Sequence, residues 1–163
     1  FQSFIGCRIG DLMKMTKTNI INGAIEYIPR KTKEGRPVTV RVPLSPTAKE
    51  IIAKYPDVPG NKLLPFISEQ KYNKAIKKMI QLAGIDRVVT TINTITREEE
   101  KHPIWEVASS HMARRNLIGN LYREVQDPNL IAKISGHTEN SKAFNRYRDI
   151  DEEMAKEVIL KLE

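Results

Sequence analysis

Polar residues followed by proline mark two helix starts in this chain, Ser45-Pro46 and Asp127-Pro128, and these marks constrain the fold more than any other feature. A serine or aspartate at the cap accepts a hydrogen bond from the first free N–H groups of the helix. Proline at the next position gives up no bond the helix would use. The first start opens a helix through Ile51, Ile52 and Tyr55, and the loop YPDVPGNK ends it, since two prolines and a glycine cannot continue a helix. The second opens a short helix ending at Gly136. Ser68 caps a third, EQKYNKAIKKMIQLAG, with Tyr72, Ile76, Met79, Ile80 and Ala83 as its expected core stripe and Gly84 at its end. Ser109 or Ser110 caps a fourth, from about His111 to Val125.

The remaining segments fit around these helices. Residues 1–14 read as a short apolar turn and then a helix from about Arg8, with Ile9, Leu12 and Met13 inward and Arg8 and Asp11 on another face. Two alternating runs, 23–29 and 37–44, predict a half-buried β-hairpin across the turn KTKEG, with Gly35 in a left-handed position. Residues 85–107 hold VVTTINTI and PIWEV around a charged turn, REEEK, and predict a second hairpin or a structured insertion. Ser141 opens a further helix carrying Phe144 and Tyr147. Residues 151–162 form an amphipathic helix with Met154, Val158 and Leu162 on one face. The sum is an α+β chain, mainly helical, with a small antiparallel sheet on one side.

At 163 residues the chain has the size of one domain with a real core. Its net charge of +7 favours a polyanionic partner such as nucleic acid or a membrane surface. The charge is uneven. Residues 151–163 carry five acids against two lysines, which leaves +10 on residues 1–150 and gives the tail a task other than touching nucleic acid. The single cysteine, Cys7, excludes an internal disulfide and a cysteine-based zinc site, and it fits a reducing cytoplasm. No apolar run is long enough to span a membrane as a helix. The chain opens without methionine in FQSFIG, and we expect a fragment of a longer protein.

The chemistry concentrates between residues 109 and 147. His111 and Arg114 stand three apart on one helix face, near an amino-terminal end whose free N–H groups suit an anion. Arg114 can fork two N–H bonds onto phosphate oxygens. His137 follows Gly136 at a helix end, and Tyr147 lies ten residues beyond it. Each residue also has a purely structural reading: a core or helix-capping histidine, a surface arginine, an aromatic packed beside Phe144. Arg8 with Asp11 reads equally as a surface pair, Lys31 as a solvated turn residue, and His102 as a surface histidine.

Order and spacing change this. The string GCRIGDL, the turn KTKEG, then SHMARR, SGH and a late tyrosine resemble the catalytic domain of the tyrosine recombinases, the phage integrase family, over essentially all 163 residues. The pattern is most similar to integrases of Bacteroides-type conjugative transposons. The gap from His137 to Tyr147 is one residue longer than the commoner spacing in that family. No other tyrosine follows Tyr122.

The resemblance implies a set of roles. Arg8 and Arg114 clamp the scissile phosphate, with His111 and His137 at the two histidine positions. Lys31 protonates the leaving 5′ oxygen, Lys33 being the competing choice. Tyr147 is the nucleophile. Helix geometry, apart from the resemblance, sets Arg146 and Arg148 off the face of Tyr147, toward DNA or partners, and puts Asp11 one turn from Arg8, where we expect it to orient the guanidinium. The implied reaction cuts and rejoins DNA through a 3′-phosphotyrosyl link, without metal, ATP or other cofactor, in integration or excision of a mobile element. The implied partners are double-stranded DNA, further copies in a tetramer joined through 151–163, and DNA-bending accessory proteins; packing of 151–163 on its own domain is the alternative reading of the tail. Core-binding and arm-binding domains would precede residue 1. An inactive DNA-binding fragment and a type IB topoisomerase are the other classes that share this residue set.

Overall fold

A computed structural model describes residues 1–33, 37–125, 127–137 and 159–160. The chain begins with two single-turn helices, α1 (Gln2–Ile5) and α2 (Ile9–Leu12). Gly6 separates them in the left-handed conformation, at φ 67°. Arg8 occupies the cap position of α2, so the helix expected from about Arg8 is present but short. A three-stranded antiparallel sheet follows, β1 (Ile20–Ile21), β2 (Ala24–Tyr27) and β3 (Val40–Pro43), in that spatial order. The β2–β3 pairing is the hairpin read from sequence, in the register Ile25 to Val42 and Tyr27 to Val40.

The hairpin is shorter than its alternating pattern. Pro29, which has no N–H to give a ladder, leads into a 3-10 turn, Arg30–Thr32, that carries Lys31. Lys31 therefore stands on a helical turn rather than in an open loop. Gly35 and its left-handed turn position lie outside the described residues.

Helix α3 (Pro46–Ala53) starts as its punctuation predicts, with the Ser45 side chain accepting from the Ala48 N–H. Helix α4 (Glu69–Leu82) is capped by Ser68, whose side chain accepts from the Lys71 N–H. Its expected core stripe is corrected. Tyr72, Ile76 and Ile80 are half-buried, Met79 is 63% exposed and Ala83 is exposed. The helix rests on its neighbour along one narrow edge, so amphipathic spacing here marks a one-sided contact and not a core element.

The second hairpin forms, with altered bounds. Strand β4 (Val88–Ile92) pairs with β5 (Glu99–Pro103), and PIWEV supplies a one-turn helix, α5 (Ile104–Val107), in place of a strand. The turn lies at 93–98. There the Asn93 side chain accepts from the Ile95 and Thr96 N–H groups, and Arg97 takes a positive φ. This local asparagine turn sets the register, and it places Glu99 and Glu100 of REEEK in the strand against their low β propensity.

Helices α6 (His111–Val125) and α7 (Pro128–Ser135) complete the described chain. Asp127 caps α7 by accepting from the Asn129 and Leu130 N–H groups. The main core joins Ile5, Cys7, Ile9, Leu12 and Met15 to Ile25, Val40 and Val42 of the sheet and Ala48 of α3. Ile118, Ile131 and Ala132 form a second cluster between α6 and α7. The expected helix at Ser141 and the tail helix lie outside the described residues, apart from Ile159 and Leu160, which are helical and exposed.

Burial separates two apolar truncations. Ile25→Ala, at a fully buried position of the central strand, should cost about 2–5 kcal/mol. Met79→Ala should change stability by less than about 0.5 kcal/mol, despite its place in an apolar stripe. Chemical denaturation of both variants checks the contrast.

Candidate active site

Three separated stretches of chain meet at Arg114. Arg114 as a whole is 3% exposed, and Nη1 donates to the Gly6 carbonyl at 2.6 Å. Nη2 lies 3.0 Å from Nε2 and 3.1 Å from Nδ1 of His137. One side chain on α6 thus ties the α1–α2 junction to the end of α7. Gly6 makes the first approach possible, because a Cβ there would stand 2.5 Å from Leu117 Cδ2 of α6.

The end of α7 is fixed in a similar way. Gly136 turns the chain at φ 64°, and the His137 N–H reaches back to the Ala132 carbonyl at 3.1 Å. A Cβ on Gly136 would meet Val40 Cγ2 at 2.6 Å and Pro29 Cγ at 3.2 Å. The glycine therefore lets α7 dock against β3 beside the turn that carries Lys31.

Arg8, Lys31 and His111 line one open cleft, together with Ile9, Gly10, Asp11, Arg30 and Glu69. His111 is exposed at the amino-terminal end of α6, and Arg8 is half-buried. Lys33 lines a different pocket, with Lys14, Asn19 and Thr39. Asp11 is buried, and its described bond differs from the expected one. Oδ1 accepts the Arg30 backbone N–H at 2.9 Å, so the carboxylate anchors the Lys31 turn. No bond from Asp11 to the Arg8 guanidinium accompanies it among the described residues. Tyr147, Arg146 and Arg148 lie outside the described residues.

Three cationic side chains, Arg8, Arg30 and Lys31, line the cleft against the carboxylates of Asp11 and Glu69. Burial first, then repulsion from Arg114, Arg8 and Lys31 in that order, lowers the His137 pKa to about 3. The imidazole is neutral near pH 7. Burial, with Asp11 adding to it, pushes the Cys7 thiol up to about 12, which keeps it an inert core residue. Tyr27 is raised as well, first by burial. Among the described residues, no three His, Cys, Asp or Glu side chains gather as a metal site. His102 bridges Glu100 and Glu106 on the second hairpin, each at 3.3 Å.

Two polar residues of this framework were not singled out from sequence. The Ser110 N–H at the start of α6 donates to the Asn73 side chain of α4 at 2.8 Å, so a residue 37 positions upstream caps the helix that bears His111 and Arg114. No local pattern marks such a distant cap. Ser135 lies 2.8 Å from His137 Nδ1, and its only sequence signal is its place in SGH.

Residues 3–154 match the phage integrase family. Solved structures of similar fold include a lambda integrase (75–356) dimer bound to a COC' core site, at 17% identity and TM-score 0.66 over 91% of this chain and 49% of that one. XerH site-specific recombinase bound to palindromic difH substrate, in a post-cleavage complex, aligns at 18% identity and TM-score 0.63, over 97% of this chain and 42% of that one. The Tn1549 transposon integrase in complex with circular intermediate DNA aligns at 16% identity and TM-score 0.61, over 97% and 54%. The chain spans about half the length of these solved chains. No curated protein matches the sequence at a significant level.

The depressed pKa of His137 has a sign that stability measurements can read. Between pH 6.5 and about 3 the unfolded chain binds a proton that native His137 does not, so this residue makes the fold less stable as pH falls through that window. His137→Gln should flatten that part of the stability–pH curve relative to the parent. Denaturation midpoints at several pH values check it, and an unchanged slope would contradict the assignment.

Proposed function

The chain belongs to the phage integrase family, and from that premise we propose that it is the catalytic domain of a site-specific DNA recombinase that cuts and rejoins DNA through a phosphotyrosine. The observation that carries this reading is the convergence of Arg8, Lys31, His111, Arg114 and His137, drawn from the first, second and last parts of the described chain onto one site. A core-packing histidine and a surface arginine would have no reason to meet the other three. The solved relatives bound to DNA support a duplex substrate.

In this reading the phosphodiester enters the cleft over Arg8 and Arg114. Attack on phosphorus builds negative charge on the non-bridging oxygens, and the fixed guanidinium groups meet it there. Each such donor is worth ~3–4 kcal/mol in comparable oxyanion sites. The Tyr147 oxygen gives up its proton to a base or water and forms the new bond to phosphorus, a step that the cations of the cleft favour by stabilising the anionic form. The bond to the 5′ oxygen breaks, and Lys31 supplies the proton this basic alkoxide needs. A 5′-hydroxyl of a second strand then reverses the step, so the bond energy stays in the covalent link and neither ATP nor a metal is required. Lys31 is preferred to Lys33 because it lines the cleft with Arg8 and His111.

The same reading places core-binding and arm-binding domains before residue 1 and makes 151–163 the segment that joins copies in a tetramer on DNA. Likeness to the Tn1549 transposon integrase supports a role in moving a mobile element, and DNA-bending accessory proteins would act on the attachment sites. Tyr147→Phe should abolish covalent trapping on a nicked suicide substrate while DNA binding stays nearly intact. Trapping by the phenylalanine variant would show that another residue is the nucleophile.

A further inference from the structure

Ser135 is a buried hydroxyl, 1% exposed, on the last turn of α7, two residues before His137. Its Oγ has one proton and, among the described residues, three oxygen or nitrogen neighbours. The Ile131 carbonyl lies at 2.6 Å, the Ala132 carbonyl at 3.4 Å and His137 Nδ1 at 2.8 Å. A carbonyl only accepts, and donation to the carbonyl four residues back is the habitual bond of a helical serine. The shortest contact is the Ile131 carbonyl, so the hydroxyl proton goes there. A serine lone pair then faces Nδ1, and that contact is a hydrogen bond only if Nδ1 carries the ring proton.

Arg114 does not decide between the two ring nitrogens. Its Nη2 lies 3.0 Å from Nε2 and 3.1 Å from Nδ1, a position over the ring face and away from the in-plane lone pairs. The serine contact chooses, since a neutral ring has one donor and one acceptor nitrogen and the bond made by one fixes the state of the other. The opposite tautomer would make the serine hydroxyl leave the Ile131 carbonyl.

We propose that Ser135 is a positioning residue that holds His137 as its Nδ1–H tautomer, leaving Nε2 unprotonated beside the Arg114 guanidinium. The serine thereby fixes both the ring proton and the place of the imidazole against Arg114 before substrate arrives. The inference goes one step beyond the recombinase reading in its consequence for catalysis, but the tautomer itself rests on bonds within the free protein. The SGH string thus carries a function for each of its residues: the serine sets the ring proton, the glycine makes the turn, and the histidine sets its ring against the arginine.

The test is nitrogen-15 NMR of the imidazole in the DNA-free protein at pH 7, with a His137→Gln variant to assign the ring. Two-bond couplings should show Nδ1 protonated and Nε2 bare in the parent. Ser135→Ala should move the ring toward the Nε2–H form and, on a nicked substrate, slow cleavage by about tenfold, the scale of one lost bond within a charged network. Ser135→Thr, which keeps a hydroxyl on the same carbon, should restore the Nδ1–H signature. An Nε2–H ring in the parent, or an unchanged Nδ1–H ring in Ser135→Ala, would overturn the proposal. If the tautomer is as stated but the parent never forms a covalent complex, the recombinase reading fails and the serine's role stands.

Discussion

The bond from the Arg114 guanidinium to the Gly6 carbonyl is the contact on which the rest of the site depends. A hydrogen bond to a charged group contributes roughly 1.5–3 kcal/mol, yet burying a cation costs several kcal/mol per ion in effective terms. Arg114 is nearly inaccessible, with the Gly6 carbonyl and the neutral His137 imidazole among its partners. Held this way it is a fixed positive charge, which suits the anion of the proposed phosphodiester.

The elements around Arg114 serve to hold such a group still. Gly6 and Gly136 each turn the chain at positive φ, and each packs where a Cβ would collide, against α6 in one case and β3 in the other. The Asp11 carboxylate grips the backbone of the turn that bears Lys31. Asn73 caps the helix that bears His111 and Arg114. Ser135 and Arg114 bracket the His137 ring. None of these residues needs to touch substrate, but each fixes one that is proposed to, which is how a site gains preorganised charge without waiting for its ligand.

The legible part of this arrangement was local. Ser45, Ser68 and Asp127 act on N–H groups two or three residues away, and all three helix starts stand where these residues put them. The alternation of 23–29 and 37–44 found its pairing partner, and the order of GCRIGDL, SHMARR and SGH brought Arg8, His111, Arg114 and His137 to one place. The illegible part depended on distance or on which surface is left over. Met79 satisfies helical spacing but has no layer above it, and Glu99 and Glu100 enter a strand because an asparagine turn several residues earlier sets the register. Asp11 reads from sequence as a partner for Arg8, one turn away on the same face. The fold brings it the Arg30 N–H, which no helical spacing encodes.

The central claim is that Arg114 works as a fork, holding Gly6 and His137 while offering charge to a phosphate. Lysine keeps the charge and loses the fork. The most direct measurement is the single-turnover cleavage rate of Arg114→Lys on a nicked attachment-site duplex, at a DNA concentration that saturates binding. The account predicts a fall of about a hundredfold or more, the scale of one lost oxyanion donor. Cleavage by the lysine variant within about threefold of the parent, a difference of under ~1 kcal/mol in barrier, would contradict it.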